Sequence, residues 1–112
     1  MTSSLTKIKD ALTSVEGLKV YHYFRSRLTA PYCIWAEDQS DDLQLNNGIR
    51  ERSYSGTIDY YTKTELDPIT DKIEEALNAH DGIAYYLNSV QYDDDTATIH
   101  FDWVFKVARK QQ

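Results

Sequence analysis

RERSYSGTIDYYTKTELDPITDKIEEAL, residues Arg50–Leu77, joins a strand of period two to an amphipathic helix through one Asp-Pro signal. In its first half Tyr54, Gly56, Ile58 and Tyr60 alternate with Ser53, Ser55, Thr57 and Asp59. That is the pattern of a half-buried antiparallel strand whose first set faces the core. After Thr64 and Glu65 the period changes. Asp67 stands where an N-cap belongs, Pro68 at the first helical position, and Ile69, Ile73, Ala76 and Leu77 recur at helical spacing.

Working outward toward the N-terminus, Leu5, Ile8, Leu12 and Val15 form an apolar stripe behind the capping candidates Thr2, Ser3 and Ser4, with Gly17 as the stop. This predicts a first helix from about residue 3 to 16. Leu18 to Phe24 is rich in β-branched and aromatic residues and reads as a strand. Tyr32 to Glu37 reads as another, apolar on both faces, with Tyr32, Ile34 and Ala36 on one side and Cys33 and Trp35 on the other. Glu37 to Gly48 carries Glu37, Asp38, Asp41 and Asp42 among amides, with only Leu43 and Leu45 to anchor it. A mobile docking loop is expected there. The organising strand then runs from Ile49 to Lys63, with Gly56 marking a bend or bulge.

Toward the C-terminus the second helix spans Pro68 to about Ala79, with His80 at its end and Gly82 as the stop. Ile83 to Tyr92 and Ala97 to Ala108 form a hairpin around Asp93, Asp94 and Asp95. In the last strand Ile99, Phe101, Trp103, Phe105 and Val107 share the core face. The expectation is one α+β domain over residues 1–112: an antiparallel five-stranded sheet with two helices, in the order α-β-β-β-α-β-β. Its core is expected to join Trp103, Phe101, Ile58, Tyr60, Ile73 and Leu77.

Composition narrows the function. A formal net charge of -6 repels a phosphate backbone, so nucleic acid is not an expected partner. No apolar run approaches the roughly 20 residues of a membrane span, and no export signal is recognisable. The single cysteine, Cys33, has apolar neighbours and reads as a buried hydrophobe, consistent with a reducing cytoplasm. His22, His80 and His100 sit on separate elements without ligand spacing, His22 and His100 on the polar faces of strands. The acidic run 93–95 lacks the spacing of a calcium loop. No Gly-rich phosphate loop or nucleophile motif is present. Neither catalysis, nor a metal, nor a cofactor is expected.

The tyrosines carry more information, because the chain has nine and several lie on strands whose other face is also apolar. Two short helices can cover only one side of a five-stranded sheet, and an uncovered aromatic face usually marks an interface. Tyr21, Tyr23, Tyr32, Tyr61 and Tyr86 are the candidate interface residues, together with Leu43 and Leu45 of the loop and the basic pair Arg50 and Arg52.

The segment from Gly56 through Lys63, followed by Asp67-Pro68 and the run Lys72 to Leu77, resembles the tail-terminator or tail-completion proteins of long-tailed bacteriophages and prophages. Pro31 to Glu37 is similar to that family's preceding strand, and Ile99 to Val107 to its closing one. The resemblance covers about residues 18 to 108 and implies a small subunit that assembles as a ring, commonly a hexamer, on the end of the tail tube. Such a subunit stops polymerisation of the tube protein and presents a surface to the head connector, without any reaction. It implies a place in the virion tail, after assembly in the host cytoplasm. Another neck or minor tail protein fits the same pattern. A dimeric ligand-binding domain with a pocket lined by Tyr and Trp is the alternative of another class.

Overall fold

The computed structural model describes residues 4–23, 27–44 and 50–108. Along the chain run α1 (Thr6–Thr13), β1 (Val20–His22), β2 (Tyr32–Gln44), β3 (Arg50–Thr62), α2 (Ile69–Asn78), β4 (Ile83–Asp93) and β5 (Thr98–Ala108). The five strands make one sheet in the spatial order β1-β2-β3-β5-β4. Two helices and five strands agree with the α+β expectation, but the sheet is mixed. β2, β3, β5 and β4 pair antiparallel, whereas β1 runs parallel to β2, with Val20 beside Cys33 and His22 beside Trp35. A tight hairpin would have made this pair antiparallel. The longer stretch between His22 and Tyr32 instead returns the chain to the end where β1 began.

Both helices lie on one face of the sheet. Ile8, Ala11 and Leu12 of α1 and Ile73 and Leu77 of α2 pack with Cys33, Trp35, Ile58, Tyr60, Trp103, Phe105 and Val107. The period-two alternation is what delivers one residue in two from each strand to this core. Of the six residues expected to meet there, five are buried and Phe101 is partly buried against them.

The organising unit folds much as its spacing implies. α2 starts at Ile69, one residue later than expected, yet Asp67 still caps it: its Oδ1 accepts the Ile69 N–H at 3.0 Å. The same carboxylate's Oδ2 accepts hydroxyls from Tyr60 and Thr62 of β3, each at 2.7 Å. α1 is shorter than expected. It begins at Thr6 with no side-chain cap, so the polar residues before it do not play that part among the described residues.

Two expectations are corrected. Residues Glu37 to Gln44 are not a loop but the second half of β2, paired with β3 as far as Gln44 beside Arg50. Among the described residues, β3 pairs with β5 only as far as the Ser53–Ala108 rung, while β2 and β3 stay paired three rungs further as a two-stranded arm. A backbone ladder asks nothing of side-chain hydrophobicity, which is why a polar composition did not prevent a strand. Leu43, Arg50 and Arg52 take strand positions in this arm, and Leu45 lies outside the described residues. The bulge near Gly56 belongs to its partner strand: the register slips between Glu37 and Gln39. There β2 comes so close that a Cβ on Gly56 would collide with the Ala36 carbonyl and lie 2.7 Å from Glu37 Cα.

Candidate functional site

The face of the sheet away from the helices has no cover among the described residues, and register decides what gathers there. Tyr32 stands beside Tyr61, Asp59 beside Asp102, Tyr61 beside His100, and Thr57 beside Val104. The three rings of Tyr32, Tyr61 and His100 stack in a row, with centroids 4.7 Å and 4.3 Å apart. Each comes from a different strand, so the row bridges β2, β3 and β5. His100 Nε2 donates to Asp59 Oδ1 at 2.7 Å, which fixes the ring against Tyr61. Next to this pair, Asn88 Nδ2 donates to Asp102 Oδ2 at 3.1 Å.

The electrostatics follow from this crowding. Burial pushes the Tyr61 phenol up to about 12, helped by the negative charges of Asp59 and Asp102. Burial also raises Asp102, and the Asp59 carboxylate opposite raises it further, against the lowering effects of Asn88 and His100. Tyr32 is raised by burial alone.

Of the candidate interface residues, Tyr32 and Tyr61 form the stack, Tyr21 joins the same face beside Ile34, and Tyr86 joins it beside Val104 with 59% of its surface exposed. Tyr23 does not belong to this face. It follows β1 in the left-handed region, at φ 69, and its ring lies on His22 at 4.1 Å, while His22 lies on Trp35 at 3.8 Å. The polar face expected for His22 is therefore the face it shares with Trp35, and its Nε2 donates to Glu37 Oε1 at 2.6 Å. Burial raises Glu37, but the hydrogen bond from His22 and others outweigh it and leave the carboxyl lowered. Leu43, Arg50 and Arg52 sit on the arm, away from the stack.

Sequence reasoning left Asp59, His100, Asp102 and Asn88 out of the site. Period two put the first three on the polar faces of their strands, but only pairing register makes them neighbours. A cleft of about 410 Å³ opens at the end of the stack, between Tyr32, Tyr61, Lys63, Leu28, Ala30 and Thr98. Neither tryptophan reaches it, because Trp35 and Trp103 are buried in the helix-covered core. A pocket lined by both Tyr and Trp is thus not formed on this face. Among the described residues, no group of three His, Cys, Asp or Glu is placed to hold a metal ion, and no helix is long and apolar enough to cross a membrane.

No protein-family profile matches the sequence, and no curated protein sequence is significantly similar to it. Among solved structures, a chain in the virion of a native gene transfer agent particle is similar over 97% of this chain and 92% of its own length. The TM-score is 0.58 and the sequence identity 13%. At that identity the likeness is one of fold.

Proposed function

We propose that this chain is a structural subunit of a phage-type virion, a tail terminator that assembles as a ring on the end of the tail tube and meets the head connector. The observation that carries the reading is the uncovered sheet face, where Tyr21, Tyr32, Tyr61 and Tyr86 gather on one side while both helices occupy the other. Tyrosine suits a face that is exposed in one state and buried in the next, since its ring packs while its hydroxyl keeps a hydrogen bond. The fold shared with a chain of a gene transfer agent virion supports a virion role, and the resemblance of residues 18–108 supports the terminator role. The two-stranded arm is a second means of reaching a neighbour, because a strand edge can pair with an extended segment of another chain. The proposed partners are further copies of the chain, commonly six in all, the tail tube protein and the head connector protein. No catalytic step, cofactor, membrane or nucleic-acid sequence enters this function.

Light scattering across a wide concentration range, followed by electron microscopy of the largest species, tests it. A ring is the expected product, and Tyr61→Ala with Tyr86→Ala should weaken its formation without changing the circular dichroism spectrum. A fixed dimer or a monomer at every concentration would overturn the reading.

A further inference from the structure

Asp59 and Asp102 face each other directly across β3 and β5, on the open face. Residues so paired hold their Cβ atoms about 4.5–5.5 Å apart, and like charges there are destabilising. Three of the four carboxylate oxygens are accounted for. Asp59 Oδ1 accepts from His100, Asp102 Oδ2 accepts from Asn88, and Asp59 Oδ2 is not among the buried atoms without a partner. Asp102 Oδ1 is the exception: it is buried and has no hydrogen-bond partner. A buried acceptor without a donor is costly, but the same oxygen carrying a proton is a donor, and the carboxylate opposite is an acceptor.

Among the described residues the surroundings offer no other way to balance the pair. The titratable groups facing it are Asp59 and Tyr61 from β3, His100 from β5 itself, and Tyr32 from β2 beyond the Tyr61 ring. β4 contributes the neutral Asn88 amide and Ser89, and β2 places apolar Ile34 beside Asp59. His100 already spends its Nε2 on Asp59.

We propose that Asp59 and Asp102 hold one proton between them, Asp102 Oδ1–H donating to Asp59, and that this proton is retained when the open face closes on a second copy of the chain. The second half rests on the proposed ring. With the proton in place the pair carries one negative charge, held against His100. Without it, two facing carboxylates would have to be buried in the interface, where an uncompensated charge is expensive. The raised Asp102 agrees in direction: an acid raised by folding contributes stability that is full below the ordinary aspartate range and is lost as pH rises through the raised value. Association that retains the proton follows the same sign.

Carboxyl carbon NMR titration of the ¹³C-labelled protein reads the pair itself, at concentrations where it is monomeric. The Asp102 resonance should titrate above the ordinary aspartate range, and in Asp59→Asn it should return toward that range. An ordinary midpoint in the unmodified chain would overturn the shared proton. Sedimentation then reads the link to assembly. Affinity should fall by up to about tenfold per pH unit above the Asp102 midpoint, and Asp102→Asn, which keeps an N–H toward Asp59 but cannot ionise, should lose this slope. Equal slopes would overturn the link, whereas a chain that never associates would sink the ring and leave the NMR result to decide the proton.

Discussion

The Tyr60 hydroxyl donates to Asp67 Oδ2 at 2.7 Å, so the core-facing side of β3 is tied to the residue that caps α2. Thr62 donates to the same oxygen at 2.7 Å. One carboxylate therefore satisfies two buried hydroxyls and one helix N–H. Burial raises Asp67, but these three donors outweigh it and hold it below the ordinary aspartate range.

Asp67→Ala should destabilise the chain by about 2–4 kcal/mol in urea unfolding, because it removes the cap and strands two hydroxyls. Tyr60→Phe should cost about 1 kcal/mol, since one hydrogen bond goes and the ring stays. The pH dependence has a definite sign. An acid lowered by folding contributes stability that is full above its unfolded pKa and is lost as pH falls through the folded value. The unmodified protein should therefore lose stability on an acid limb that is shallower in Asp67→Ala, which melting curves collected below the ordinary aspartate range will show.

Trp103 is the largest fully buried side chain, and its Nε1 donates to Glu74 Oε2 at 2.8 Å, linking β5 to α2. Trp103→Ala should lower stability by about 3–5 kcal/mol. Trp103→Phe should cost less, since most of the ring volume remains while the bond to Glu74 is lost. An unchanged melting midpoint in the alanine variant would contradict the core assignment.

Gly56→Ala should destabilise by about 3 kcal/mol or more, because the new methyl meets the Ala36 carbonyl, which is backbone and cannot rotate away. Gly17→Ala is the control. Its methyl would find open space, so only the left-handed backbone at φ +81 penalises it, by about 1–2 kcal/mol. Urea midpoints of the two variants check the ordering.

Much of the fold was legible because two periods were clean. β3 and β5 alternate so regularly that their core sets, Ile58 with Tyr60 and Trp103 with Phe105, were readable from spacing alone, and the Asp67-Pro68 signal placed α2 to within one residue. The loop expected from Glu37 onward failed as far as Gln44 because composition reports what a segment can bury, not what its backbone can pair with. Once Tyr32 to Glu37 is in register with β3, each further rung extends a ladder already nucleated, and residues through Gln44 follow it. The expected bulge at Gly56 was displaced for a related reason: a glycine marks a close approach without saying which chain bulges.

Sequence by itself determined which residues of β3 and β5 share a face, where α2 starts to within one residue, and that two short helices leave a tyrosine-bearing face without cover among the described residues. These are local matters, set by side-chain period and capping chemistry within a few residues. Only the tertiary structure decided that β1 runs parallel to β2, that Tyr23 turns away to lie on His22, and that Asp59 meets Asp102 beside His100. The last of these depends on register, which joins residues 41 or 43 positions apart through backbone hydrogen bonds that any side chain permits.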